Sequence, residues 1–242
     1  MPTDKQAIRE DVWDALEAAE VARFPFPPHD RIPNFAGAEE AATRLFDRPA
    51  WQAAETVKAN PDAPQLPVRR GALQAEKTVN MAVPRLRDER CFVRLDPATI
   101  DDTDAAATIS HADEYARRIG PDEMDPVDLV VAGSVAVTPT GDRIGKGEGY
   151  SDLEFAILRE AGLVGPDTTV ATTVHEMQVL DRSIDTESHD VPMDLVVTPE
   201  RTIETDRRGD RPAGIDWTRL DEATIDAIPI LQRLRPPEHD NH

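Results

Sequence analysis

An α/β fold around a mostly parallel sheet is what this 242-residue sequence predicts, on three observations. First, residues 127–137 (VDLVVAGSVAV) are almost continuously apolar and rich in Val, the pattern of a strand covered on both faces. Second, short β-branched runs recur at 79–83, 91–95, 170–174 and 195–197. Third, stretches with helical spacing of apolar residues alternate with those runs, as in βαβ units.

The elements follow in order. Residues 5–21 predict an amphipathic helix, with Ile8, Val12, Leu16 and Ala19 at helical spacing and Asp4 as its N-cap. The proline-dense stretch FPFPPHDRIP at 24–33 cannot continue it. A second helix is expected over 37–46. Residues 56–58 then lead into a loop, ANPDAPQLPVRR, with three prolines, and 73–77 suit a helix end. Strands are expected at 79–83, before Pro84, and at 91–95; the polar stretch 101–118 gives no clear period. After the long strand at 127–137 come a turn at 138–142, a glycine loop and a helix over 152–161 ended by Gly162. Strands at 170–174 and 195–197 follow, then a C-terminal helix over 216–234 interrupted at Pro229. The expected organisation is one α/β domain over 1–204 and a partly helical tail over 205–242.

Composition narrows the function classes. A formal net charge of −20 with only four lysines (Lys5, Lys58, Lys77, Lys146) opposes direct binding of nucleic acid, which rests on neutralising phosphates. The acids are spread along the chain, which favours a solvating surface over an acidic interaction patch and is similar to the composition of halophilic archaeal proteins. No apolar run approaches the roughly 20 residues of a membrane span, and the charged N-terminus has no signal core, so the expectation is a cytoplasmic protein. The single cysteine, Cys91, excludes an internal disulfide and reads as a buried thiol.

The loop Arg143–Asp152 (RIGKGEGYSD) is the candidate site. Alternating glycines permit left-handed backbone and close approach to a ligand, and successive N–H groups can then converge on an anion. The helix that follows adds its N-terminal partial charge, and Arg143 and Lys146 add full ones. Asp152 at the helix start suits Mg²⁺ carried on phosphate oxygens. The residues also admit a plainer reading, a tight turn in which Ser151 or Asp152 merely caps the helix. The spacing is neither GxGxxG nor GxxxxGK[ST], so neither phosphate-binding fingerprint applies.

DLVVAGSVAVTPTGDRIGKGEGYSD resembles the signature of the 5-formyltetrahydrofolate cyclo-ligases, or methenyltetrahydrofolate synthetases. Lys5 and Arg9 match the basic pair of that family's first helix, and HDVPMD at 189–194, preceded by Gln178, is similar to its C-terminal segment. The matches run in order from residue 5 to about 204. RIPNF, VKANPDAPQ, VPRLR and GSVAV–GKGEGY further resemble the methenyltetrahydrofolate synthetase domain-containing branch; no RNP-type strand of an RNA-recognition module occurs. The resemblance implies a three-layer α/β/α sandwich with a mostly parallel sheet, the fold of ribose-isomerase and CoA-transferase-like proteins. It implies ATP- and Mg²⁺-dependent conversion of 5-formyltetrahydrofolate, a reduced folate, to 5,10-methenyltetrahydrofolate. Arg143 and Lys146 would be catalytic. Lys5, Arg9, Gly145, Gly147, Glu148, Gly149 and Tyr150 would bind the nucleotide or folate, and Asp152 the metal.

Three departures stand out. Ala63 occupies the position of the family's folate-contacting Glu, Ser151 that of the second Tyr in GYYD, and Leu153 that of a frequent basic residue. Asp62 and Gln65 are the polar neighbours available in place of that Glu. The departures keep open a second reading, a noncatalytic nucleotide- or folate-binding regulatory protein, RNA-associated through partners. His175–Glu176 does not complete HExxH, because Val179 closes it, and is read as a strand-end feature. His189–Asp190 is read as a hydrogen-bonded turn, Arg69–Arg70 and Arg207–Arg208 as loop surface, and Trp13, Trp51 and Trp217 as packing residues. The sequence leaves the oligomeric state open.

Overall fold

The computed structural model describes residues 4–206 and 211–237. Helix α1 (Lys5–Ala18) is capped by Asp4, whose carboxylate accepts from Gln6 N at 2.9 Å, and buries Ile8, Val12, Trp13 and Leu16. A ribbon of β1 (Ala22–Arg23) and β2 (Asn34–Phe35) follows, then α2 (Ala38–Phe46), α3 (Pro49–Ala53), β3 (Thr56–Ala59), α4 (Leu66–Gln74), β4 (Thr78–Ala82) and β5 (Phe92–Leu95). The polar stretch folds as α5 (Thr103–Ala107), α6 (Ile109–Tyr115) and β6 (Arg117–Ile119). Next come β7 (Leu129–Val131), the pair β8 (Ala136–Val137) and β9 (Arg143–Ile144), and α7 (Tyr150–Glu160). The chain continues through β10 (Thr169–Thr173), β11 (Leu195–Val197), β12 (Thr202–Glu204), α8 (Glu222–Ala227) and α9 (Pro229–Leu234).

Eight strands form one sheet in the order β12-β11-β10-β7-β3-β4-β5-β6. The four pairings from β11 to β4 are parallel, while β12, β5 and β6 are added antiparallel at the edges. Strands β3, β7 and β11 are buried at every position, as a parallel sheet covered on both faces requires. The predicted α/β class with a mostly parallel sheet is therefore observed.

Three expectations are corrected. The apolar run 127–137 is two strands: β7 stays in the main sheet, whereas β8 leaves it at Gly133 to pair with β9. Val135 and Ala136 are apolar because they pack with Ile8, Val12, Trp13 and Leu16 of α1 in a second core cluster. The proline-rich stretch after β3 is mostly helical, because Pro64 and Pro67 stand in first-turn positions, where a missing N–H costs nothing. Arg69, expected on the surface, is 1% exposed and donates to the carbonyls of Ala107, Asn60 and Asp62 at 3.1, 2.8 and 3.0 Å. Arg207–Arg208 lie outside the described residues.

The readings of Cys91, of the three tryptophans and of Gly162 agree with the structure. Cys91 is buried, and burial pushes its thiol up to about 12. Trp13 and Trp51 are core residues, and Trp217 packs against the core. Gly162 ends α7 with a left-handed φ of +71°. Ile215, Ile225, Ile228, Ile230 and Leu231, from the segment beyond β12, join the main core cluster.

Candidate functional site

The glycine loop runs from the end of β9 to the first turn of α7. Gly147 and Gly149 have φ of +105° and +72°, a region that side chains rarely adopt. Gly149 is the N-cap of α7 and forms no side-chain cap bond, so Ser151 and Asp152 sit within the first turn and neither caps it. That turn lines a cleft of about 250 Å³, facing Asn60, Asp62 and Gly133 across it. The uncapped helix start and the open glycines suit an anion.

Helix α1 reaches this loop from the far end of the chain. Arg9 Nε donates to Gly145 O at 2.7 Å, and a Cβ on Gly147 would lie 3.2 Å from the Arg9 guanidinium carbon. One turn earlier, Lys5 Nζ donates to Asp190 Oδ2 at 2.8 Å. Burial alone would raise the Asp190 carboxyl, but hydrogen bonds from Lys5 and Glu187 N hold it below the usual range. Asp190 N donates to Glu187 O at 3.0 Å, so His189–Asp190 sits in a hydrogen-bonded turn tied to α1 through Lys5, and His189 Nε2 lies 3.7 Å from Asp190 Oδ1. Lys5 and Arg9, four residues apart on one face, thus clasp the loop and the segment behind it.

Beneath the loop the charges are paired. One terminal nitrogen of Arg143 donates to both oxygens of Asp152, at 2.8 and 2.7 Å, and the other donates to Gly133 O at 2.8 Å. Burial acts to lower Arg143, but the charge and hydrogen bonds of Asp152 outweigh it and hold the guanidinium above its ordinary range. Asp152 Oδ1 also accepts from Val191 N at 3.0 Å. Lys58 of β3 is 1% exposed and bonds both Glu154 of α7 and Asn60 Oδ1, the latter at 2.7 Å. Asn60 Nδ2 in turn donates to Ser151 Oγ at 3.3 Å. Arg69 holds the Asn60–Asp62 backbone from behind, and burial lowers its guanidinium to about 10.

Of the nucleotide-loop residues named from the sequence, Arg143, Gly145, Lys146, Glu148, Gly149, Tyr150 and Asp152 line the cleft, whereas Gly147 is not in its lining and lies against Arg9. Tyr150 also lines an adjoining cavity of about 610 Å³, walled by Pro212, Ile215 and Leu220. Lys146 is partly exposed and lies 2.6 Å from Glu148. Lys5 and Arg9 stand behind the loop rather than in the cleft lining. Of the two polar neighbours of Ala63, Asp62 lines the cleft, while Gln65 is fully buried and donates to Thr173 Oγ1 at 3.3 Å. His175 is a strand-end cap, accepting from Met177 N through Nδ1 at 3.2 Å.

Lys58, Glu154, Asn60 and Arg85 were missed as site residues. Lys58 left a trace, as a lysine inside an apolar strand-like run of a lysine-poor chain. Arg85 lies within the quoted VPRLR segment, but nothing there pointed to a role, because its place depends on a turn. Among the described residues, no group of three or more His, Cys, Asp or Glu is placed to hold a metal. The carboxylate of Asp152 borders the cleft at 12% exposure. That donor set fits Mg²⁺ brought on phosphate oxygens with one carboxylate beside it, not a protein-built cage.

Asp62 offers a pH test. Burial raises its carboxyl, against the pull of Lys146, Arg69 and Lys58. A raised folded value means stability is greatest when both states are protonated and falls as pH rises through the window above the unfolded carboxylate value. Asp62→Asn is therefore expected to raise Tm at pH 7 by roughly 2–4 °C, about 1 kcal/mol in a domain this size. The gain should vanish below about pH 4. Thermal melts across pH check it, and equal melting at pH 7 would count against a desolvated Asp62.

Comparison with known proteins places these features. A family model described as the 5-formyltetrahydrofolate cyclo-ligase family matches residues 2–199. The chain is 43% identical over 238 residues to the methenyltetrahydrofolate synthase domain-containing protein of Bos taurus, covering 97% of this chain and 62% of that protein. It is 42% identical to the Homo sapiens protein of that name, with the same coverages. The chain thus spans less than two thirds of these relatives' length. The fold is similar to the NMR structure of Aquifex aeolicus 5,10-methenyltetrahydrofolate synthetase, with a TM-score of 0.54 at 18% identity, covering 89% of this chain and 99% of that one.

Proposed function

This chain belongs to the 5-formyltetrahydrofolate cyclo-ligase family, and on that premise we propose that it closes 5-formyltetrahydrofolate to 5,10-methenyltetrahydrofolate with ATP and Mg²⁺. The observation that carries the reading is one cleft walled by the glycine loop and the start of α7 on one side and by Asn60–Asp62 on the other. Bound ATP supplies the phosphoryl group that activates the formyl oxygen. The chain's own residues align the reactants and neutralise charge, the main demands of phosphoryl transfer. Lys146 offers its ammonium at the cleft wall, and Gly145, Gly147 and Gly149 offer main-chain N–H groups. Arg143 is a fixed buried cation, oriented by Asp152, whose outer edge would meet Mg²⁺ on the phosphates. Lys5 and Arg9 hold the loop in place from α1. Asp62, half-buried in the opposite wall, stands where a carboxyl would orient the reduced folate in place of the absent Glu.

The test is direct. Purified protein with 5-formyltetrahydrofolate, ATP and Mg²⁺ in concentrated salt should develop methenyl absorbance, and none should appear when ATP is omitted. One observation favours the second reading, a noncatalytic nucleotide- or folate-binding protein. Ala63 borders a different groove with Phe35, Gly37 and Arg70 and is not among the residues that line the cleft. ATP binding without methenyl formation would select that reading.

A further inference from the structure

The cleft rim carries a cation, Arg85, to which the sequence assigned no role although it lies in the VPRLR segment. Val83-Pro84-Arg85-Leu86 is a turn closed by Leu86 N donating to Val83 O at 3.0 Å. Arg85 sits in it at φ +55°, ψ +21°, and Leu86 follows at φ +52°. Turns place Gly or Asn in such left-handed positions, because a larger side chain there is strained. Leu86 is anchored, fully buried in the core. Arg85 has no such anchor: its side chain is 54% exposed, borders the cleft and reaches Glu148 Oε1 at 3.6 Å. The other oxygen of Glu148 is 2.6 Å from Lys146 Nζ. A single carboxylate on the glycine loop therefore lies between two cations, one from the loop itself and one from the 83–86 turn, and all three border the cleft.

We propose that Arg85 is a third cationic arm of the phosphate site, and that Glu148 is its internal stand-in, holding Arg85 and Lys146 until a polyphosphate displaces it. This deepens the reading of the loop as a triphosphate cradle and rests on it. Exposed ion pairs are weak, so Glu148 yields readily to a ligand that carries several charges and more acceptor oxygens. The left-handed backbone is kept because glycine, the residue best suited to that turn, has no guanidinium to offer.

Inorganic tripolyphosphate and MgATP, each titrated calorimetrically into the full chain at fixed salt, test it. Glu148→Gln is expected to bind both about three- to fivefold more tightly than the wild type, since it removes a competing anion. Arg85→Gly should bind about tenfold more weakly, with a Tm equal to or above that of the wild type because the turn is relaxed. Arg85→Lys should fall between. If the wild type binds and Glu148→Gln binds no tighter, or Arg85→Gly binds equally well, the inference is overturned while the cradle stands. If the wild type binds neither probe, both fall together.

Discussion

Glu154→Leu is expected to destabilise the protein by about 3–5 kcal/mol and to lower Tm by roughly 10 °C or more. Glu154 and Lys58 are 6% and 1% exposed and bond each other beneath the glycine loop. Removing the carboxylate strands an ammonium in the core with Asn60 Oδ1 as its remaining partner. The penalty belongs to the orphaned charge more than to the lost bond. Lys58→Met added to Glu154→Leu should therefore restore most of the lost stability, since an apolar pair of similar volume replaces a buried ion pair at little cost. Circular-dichroism melts of the two single variants and the double variant form the cycle. A double variant no better than Glu154→Leu alone would show that the pair does not act as a desolvated unit. A restored fold still has a looser floor, because Asn60 loses the ammonium that orients it toward Ser151.

Lys146→Ala is expected to lower methenyl-forming turnover by about 10²–10³-fold, the size of one lost electrostatic contact to a developing charge, with Tm nearly unchanged. Its ammonium is partly exposed and has Glu148 as its neighbour, so the fold does not depend on it. Asp152→Ala should abolish turnover too, but by another route. It leaves buried Arg143 without its counter-ion and Val191 N without its acceptor, which should cost about 3–5 kcal/mol of stability as well. Kinetics and melting measured on the same preparations separate the two. Equal Tm for both variants would mean that the Arg143–Asp152 pair is not structural, and full activity in Lys146→Ala would remove the lysine from the site.

Much of this arrangement was readable in the residues, and the exceptions share a cause. The glycine loop, the helix after it and Asp4 as a cap announce themselves through local pattern, because backbone conformation and helical spacing are local properties, whereas the basic pair on α1 is marked by the family resemblance alone. What stayed hidden depends on which distant surface a residue meets. The apolar run at 127–137 looks like one strand because covering by a sheet and covering by α1 demand the same residue types. Pro64 and Pro67 read as loop markers until helix starts give them positions where proline is welcome. Arg69 reads as surface because nothing in its neighbourhood shows that three carbonyls will converge on its guanidinium. Arg85 lies in the family-like VPRLR segment yet is not singled out within it, for the opposite reason: its exposure is ordinary, and only the sign of one backbone angle sets it apart.

The grip of α1 on the loop joins residues 136 positions apart through Arg9 and Gly145, and 185 apart through Lys5 and Asp190. A chain emerging from the ribosome has its first helix long before it has anything for that helix to hold. Contacts this remote are slow to close, and the grip of α1 is completed only once the chain has been made out to Asp190. Newly synthesised fragments that end before residue 190 should thus be blind to nucleotide, however well their helices form.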